Sequence, residues 1–138
     1  MNSDFTLAVH SLALLAIKPG QMATSDYLAG SASVHPVRMR KILSLLKKNG
    51  YIVSKEGAGG GFTLSCRVEE VTLDKIYNLT SIGALQPRCP DSNEYCLVGA
   101  NLSNVLGDIF TDAENHLTAF LKQYTIRDII QSLKQKQL

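Results

Sequence analysis

The chain has 138 residues, of which 45% are hydrophobic and 19% charged, with a formal net charge of +2; this balance supports one folded domain and excludes a disordered tail. Its longest apolar run, residues 12–17, is far short of the roughly 20 residues that span a bilayer, so no membrane span is expected. Asp4 without a base before Lys18 is unlike a secretory leader, and three cysteines, an odd number, argue against a disulfide framework, which together lead us to expect a cytoplasmic protein with reduced thiols.

The first helix is expected over residues 3–17, with Phe5, Ala8, Leu12 and Leu15 on the face that packs against the helix-turn-helix. A short second helix is expected over 24–31, opened by Thr24 as N-cap and turning Tyr27 and Leu28 inward, with residues 31–35 as a turn. Between 36 and 48, Met39, Ile42, Leu43 and Leu46 fall at i, i+3, i+4 and i+7, so one face of a third helix is buried. The opposite face is basic: Arg38 and Lys41 align with Lys48, and Arg40 with Ser44 and Lys47. A row of cations in this geometry can meet phosphates and base edges in a major groove. Pro36 suits the first helical position and Gly50 the left-handed stop. Residues 51–53 and 62–64 read as strands around the Gly-rich run 57–61, a hairpin wing. Charge follows the motif, because residues 1–65 hold seven Lys/Arg against three acids and the remainder seven against nine.

A fourth helix is expected over 72–79, capped by Thr72 with Asp74 in its first turn. Gly83, Pro87, Pro90, Asp91, Ser92 and Asn93 then make residues 81–94 a loop. From 98 to 124 the apolar residues Val98, Leu102, Val105, Ile109, Ala113, Leu117, Phe120 and Leu121 keep a helical period, a rod of roughly 40 Å. So long a stripe cannot be covered by its own small domain, and a homodimer with Leu102, Val105, Ile109, Ala113, Leu117 and Phe120 at the interface is the economical way to bury it. The alternative is a rod folded back on residues 125–136. The fold class is therefore mainly α with a small β-hairpin wing: a winged helix-turn-helix over 1–80, a cysteine-containing loop over 81–97, and a dimerisation helix with a C-terminal helix over 98–138. Two basic helices related by a two-fold axis would sit about 34–36 Å apart, which matches a palindromic operator in double-stranded DNA.

The residues 3–10, the segment His35-Pro36-Val37-Arg38-Met39-Arg40-Lys41-Ile42-Leu43, the wing 57–62 and the late Thr125-Ile126-Arg127-Asp128-Ile129 together resemble the Rrf2 family of bacterial transcriptional regulators, and within it the YwnA-like branch. The resemblance covers nearly the whole chain and implies control of transcription, usually repression. Carried over by position, it implies DNA contacts from Thr24 and Ser25, from His35, Pro36, Val37, Arg38 and Arg40, and from the wing at residues 55–59, with Lys55, Gly57 and Gly59; Lys41 joins them from the basic face. Where many relatives place an arginine before the wing glycine this chain has Glu56, which phosphates would repel. Cluster-binding relatives have three cysteines in the loop before the long helix, whereas only Cys89 and Cys96 stand here, an incomplete set for an iron–sulfur cluster. Cys66 reads as a small buried hydrophobe, and Asp4 and His116 have no ligand spacing. No cofactor or metal is expected.

Cys89 follows Arg88 and Cys96 precedes a helix start, settings that favour thiolates, so redox sensing stands beside the reading that both are remnants of a cluster loop. An enzyme is not expected: the three histidines lie in unrelated settings, and the Gly-rich run precedes a strand, the wrong context for a phosphate loop. The other readings are a cluster-sensing regulator and a winged helix that docks protein, the latter disfavoured by a recognition helix rich in arginine and lysine. The small-molecule or protein effector is left open.

Overall fold

In a computed structural model that describes residues 3–91 and 93–136, the first expected helix is α1 (Asp4–Ile17), with Ala8, Leu12 and Leu15 fully buried. Ser92 of the expected loop and residues 137–138 lie outside the described residues. The chain reverses after α1 through Gly20 and Gln21, both at positive φ, into a two-residue strand, β1 (Met22–Ala23). Two residues offer no alternation to read, so nothing in the sequence marks this strand.

Helix α2 (Ser25–Ala32) opens as expected on Thr24, whose Oγ1 accepts the Tyr27 N–H at 3.0 Å. Leu28 is fully buried, but Tyr27 is half-exposed, against expectation. Successive helical residues point about 100° apart, so the core direction taken by Leu28 turns Tyr27 outward, where its ring lies 5.0 Å from the Lys18 ammonium. Ser33, in the left-handed region at φ 55°, closes α2 and re-aims the chain into α3 (Pro36–Lys48). Helix α3 has the expected bounds. Met39, Ile42, Leu43 and Leu46 are buried, and Gly50 takes φ 82° just beyond the end.

The wing is β2 (Ile52–Lys55) and β3 (Gly61–Leu64), antiparallel with Ile52 opposite Leu64 and Lys55 opposite Gly61. Strand β1 adds to the other edge of β3, Met22 opposite Thr63 and Ala23 opposite Phe62, so the sheet order is β1-β3-β2. At the wing tip a Cβ on Gly60 would come within 2.2 Å of the Lys55 carbonyl oxygen, so only glycine closes this turn without moving backbone.

Helix α4 (Leu73–Thr80) follows Thr72 as placed, but the expected side-chain cap is not made. The Thr72 hydroxyl instead donates to the Asp74 carboxylate, and its backbone pairs with Thr125. After an irregular loop comes α5 (Leu97–Leu121), 25 residues, about 37 Å long. It stops three residues before the expected end, because Thr125 is already committed to a capping box: its Oγ1 accepts from the Asp128 N–H at 3.1 Å and its own N–H donates to Asp128 Oδ2 at 2.9 Å. The box starts α6 (Ile126–Lys134), which lies against α1 with Ile126 and Ile130 in the core. The fold-back of the final segment onto the rod is thereby overturned. The reason is that Ile126 and Ile130 find an existing core between α1 and α4, closed by the Ile126 N–H on the Val71 carbonyl at 2.9 Å.

A hydrogen-bonded clip ties the rod to the winged helix. Tyr77 of α4, fully buried and edge-on to Phe5, donates its hydroxyl to Glu114 Oε1 at 2.9 Å, and the same oxygen accepts the Gly83 N–H at 2.6 Å. Gln86 adds bonds to the Gly107 carbonyl and the Thr111 hydroxyl. Burial, then the bond to Glu114, pushes the Tyr77 hydroxyl up to about 12. An unfolded tyrosine ionises near pH 10, so this group's contribution to stability is present below pH 10 and lost as pH rises from there towards 12. Urea unfolding should therefore show a steeper loss of stability between pH 8 and pH 11 in the wild type than in Tyr77→Phe; parallel losses would refute the clip as an ionisation-sensitive contact.

Candidate nucleic-acid interface

The outer face of α3 is cationic. With its apolar stripe turned inward, α3 leaves Arg38, Arg40, Lys41, Lys47 and Lys48 exposed, together with Val37. His35 is the N-cap, its Nδ1 accepting the Val37 N–H at 3.1 Å. That bond places the ring proton on Nε2, so the side chain offers a donor at the helix start. Four of the expected residues, His35, Val37, Arg38 and Lys41, line one open cleft of about 520 Å³ with Asp4 and Ile42.

Arg38 is tethered. One guanidinium nitrogen lies 3.2 Å from Asp4 Oδ1 and also donates to the Ser3 hydroxyl. Both side chains are more than a third exposed, so the pair is weak and can be exchanged for a phosphate or a base edge. Until then it holds the arginine extended beside the helix start. Lys47 is turned toward the wing, its Nζ donating to the Ser54 hydroxyl at 2.8 Å.

A second cleft, of about 340 Å³, brings Thr24 at the start of α2 together with Gly59 at the wing tip, and Lys18, Met22 and Tyr27 share its lining. Lys18 and Tyr27 are additions to the residues expected from sequence. The only signal available there is a cation and an aromatic nine positions apart across a turn, which is too common to single them out. Ser25 is half-buried, and Lys55, Glu56, Gly57 and Gly59 stand exposed at the wing, so Glu56 shares the tip with the glycines.

The cysteines occupy three different settings. Cys96 is exposed and is the N-cap of α5; its sulfur makes no capping hydrogen bond, but the nearby N–H groups of Gly99 and Val98 at the helix start lower its pKa. Cys89 is exposed in the preceding loop, its thiol 3.9 Å from the Pro87 carbonyl. Cys66 is only half-buried, beside the core after β3, and burial pushes its thiol up. Among the described residues no group of three or more His, Cys, Asp or Glu is placed to hold a metal ion, and no helix is long and apolar enough to cross a membrane. On α5 no residue is buried: Leu102, Val105, Ile109 and Phe120 are about half-exposed, Ala113 is exposed and Leu117 is partly covered.

Comparison with known proteins agrees with this architecture. The family model Rrf2, described as iron-dependent transcriptional regulator, matches residues 1–132. The HTH-type regulator NsrR of Bacillus subtilis is 26% identical over 132 residues, covering 94% of this chain and 88% of NsrR. YwnA of the same organism, named as a candidate HTH-type transcriptional regulator, is 25% identical over 134 residues, covering 96% of this chain and 98% of YwnA. A crystal structure of a candidate transcriptional regulator from Lactobacillus plantarum superposes with a TM-score of 0.83 at 31% identity, over 99% of this chain and 93% of that one. The exposed basic helix, the glycine-tipped wing and the long uncovered rod are thus features of a winged-helix transcriptional regulator that binds DNA, and the chain belongs to the Rrf2 family.

Proposed function

We propose that the protein is a cytoplasmic repressor that binds a palindromic operator as a homodimer, reading each half-site with α3. The observation that carries this reading is the pairing of two exposed surfaces in one small chain: a cationic face on α3 and an apolar stripe along α5. A two-fold axis along α5 would cover the stripe and present two copies of α3 to successive major-groove segments on one side of the duplex, about 34–36 Å apart. Arg38, Arg40 and Lys41 supply base and phosphate contacts from α3. His35, Pro36 and Val37 position the helix start, Thr24 and Ser25 add backbone contacts from α2, and Lys55, Gly57 and Gly59 bring the wing to the minor groove.

An iron–sulfur cluster does not fit the residues present. The loop before α5 offers two thiols, Cys89 and Cys96, against the four ligands such a cluster takes, and Cys66 stands apart after β3. We infer that the protein works without a resident cluster and that Cys89 and Cys96 respond directly to oxidants. Cys96 has the lowered pKa of a helix N-cap, and an attacking thiolate is what oxidation and exchange require. Their loop joins the winged helix to α5, so a disulfide or mixed disulfide there would shift one reading head against the other.

The test is selection of DNA from a random pool with reduced protein, followed by affinity measurements on the selected site. The expected site is a palindrome with half-sites one helical turn apart, bound at least about tenfold more tightly by reduced than by oxidised protein. Cys89→Ser and Cys96→Ser should remove the difference. A non-palindromic site would refute the symmetric dimer, and equal affinity in both redox states would refute the thiol switch.

A further inference from the structure

On a side of the molecule that shares no lining residue with α3 or the wing tip, a cleft of about 580 Å³ opens between the base of the wing and α6. Its lining includes four apolar side chains, Ile17 at the end of α1, Leu64 at the end of β3, Val68 and Ile130. Its rim is cationic. Arg127, Gln131 and Lys134 stand on one face of α6 at i, i+4 and i+7, and Arg67 lines the cleft from the loop after β3. The lining holds three cations, Arg67, Arg127 and Lys134, against one anion, Glu69, and a second carboxylate, Glu70, stands 3.8 Å from Arg67 just outside it.

Glu69 shows what the two arginines accept. Its Oε1 lies 3.5 Å from Arg127 Nη1 and 4.0 Å from Arg67 Nη2, so one carboxylate already sits between the two guanidinium groups. These contacts are long, and the side chains are 40–71% exposed, so the internal pairs contribute little and exchange readily. A free carboxylate can meet the two guanidinium groups at shorter, charge-assisted distances than Glu69 does.

We propose that this cleft is a binding site for a small aliphatic dicarboxylate. One carboxylate sits between Arg67 and Arg127, the methylene chain lies over Leu64 and Ile130, and the second carboxylate meets Lys134. The rise along α6 sets the Lys134 backbone about 10 Å from that of Arg127, a span that a five- or six-carbon diacid and a lysine side chain bridge together. The far wall is the turn at Gln21, a non-glycine residue at φ 53° whose Nε2 donates to the Ala16 carbonyl at 3.3 Å. This turn leads directly into β1, which pairs with β3 of the wing. An occupant of the cleft therefore bears on the strand pair that carries the wing.

Cys66 lines the cleft and serves as a built-in reporter, whereas Cys89 and Cys96 lie outside its lining. The experiment titrates the reduced, full-length protein with glutarate and adipate, against butyrate and chloride at matched ionic strength. Binding is read by calorimetry and by site-resolved mass spectrometry of iodoacetamide labelling. The expected result is saturable binding of a diacid with Kd below about 1 mM, slowed labelling of Cys66, and unchanged labelling of Cys89 and Cys96. Arg127→Ala should weaken binding at least about tenfold, and Lys134→Gln, at an exposed position in the last turn of α6, should do so without touching the core. Absence of saturation, equal effects of butyrate and diacid, or unchanged affinity in a folded Lys134→Gln protein would each overturn the site.

Discussion

Replacing Arg38 and Arg40 together with alanine should lower affinity by about 30-fold to 10⁴-fold for each half-site, since each such contact is worth about 1–3 kcal/mol and every 1.4 kcal/mol is about tenfold. Both side chains are exposed on the face of α3 opposite Met39, Ile42, Leu43 and Leu46, and alanine is the best helix former, so the fold should survive. The single variants should differ. Binding through Arg38 first breaks its contacts with Asp4 and Ser3, so its net contribution is the smaller of the two, and Arg40→Ala should cost more than Arg38→Ala. Removing a phosphate contact should also flatten the dependence of log affinity on log salt by about one. Fluorescence anisotropy with the selected operator at several salt concentrations measures both quantities. Full affinity in the double variant would refute α3 as the reading helix.

Ile109→Asp should convert a dimer into a monomer. In the single chain Ile109 is 56% exposed, so a carboxylate there costs the protomer little. Buried in a two-fold interface, it would lie within an apolar stripe beside its own symmetry copy, unpaired, at a cost of several kcal/mol, which is at least about a hundredfold in dimer affinity. Sedimentation at micromolar concentration reads the change directly. Circular dichroism should show that helix content is retained. Operator affinity should fall with the dimer, because a monomer has only one half-site to hold. A wild-type protein that sediments as a monomer, or an Ile109→Asp variant that stays dimeric, would remove the two-fold model.

The three residues Met39, Ile42 and Leu46, together with Pro36 and the Asn49-Gly50 stop, are sufficient to delimit α3 and to say which of its faces is basic. Thr24 as a cap, the glycine-rich wing turn and the length of the rod are legible on the same grounds. In each case the physics is local: helical period, capping and positive φ act over a few neighbouring residues. What local pattern could not show depends on residues far apart in the chain. Strand β1 exists because β3 offers an edge to Met22 and Ala23, and two residues have no period of their own. Tyr27 turns outward because Leu28 takes the core, and α6 docks on α1 because Ile126 and Ile130 find a core there. The tether of Arg38 to Asp4, the clip from Tyr77 to Glu114 and the meeting of Arg67, Glu69 and Arg127 join side chains that only the packed fold brings together. Sequence by itself determined the helices, the wing hairpin and the basic face of α3, because those arise from interactions within a turn or two of the chain. Tertiary structure alone decided which polar side chains meet and which clefts form, because such contacts are selected by core packing and not by neighbours in sequence.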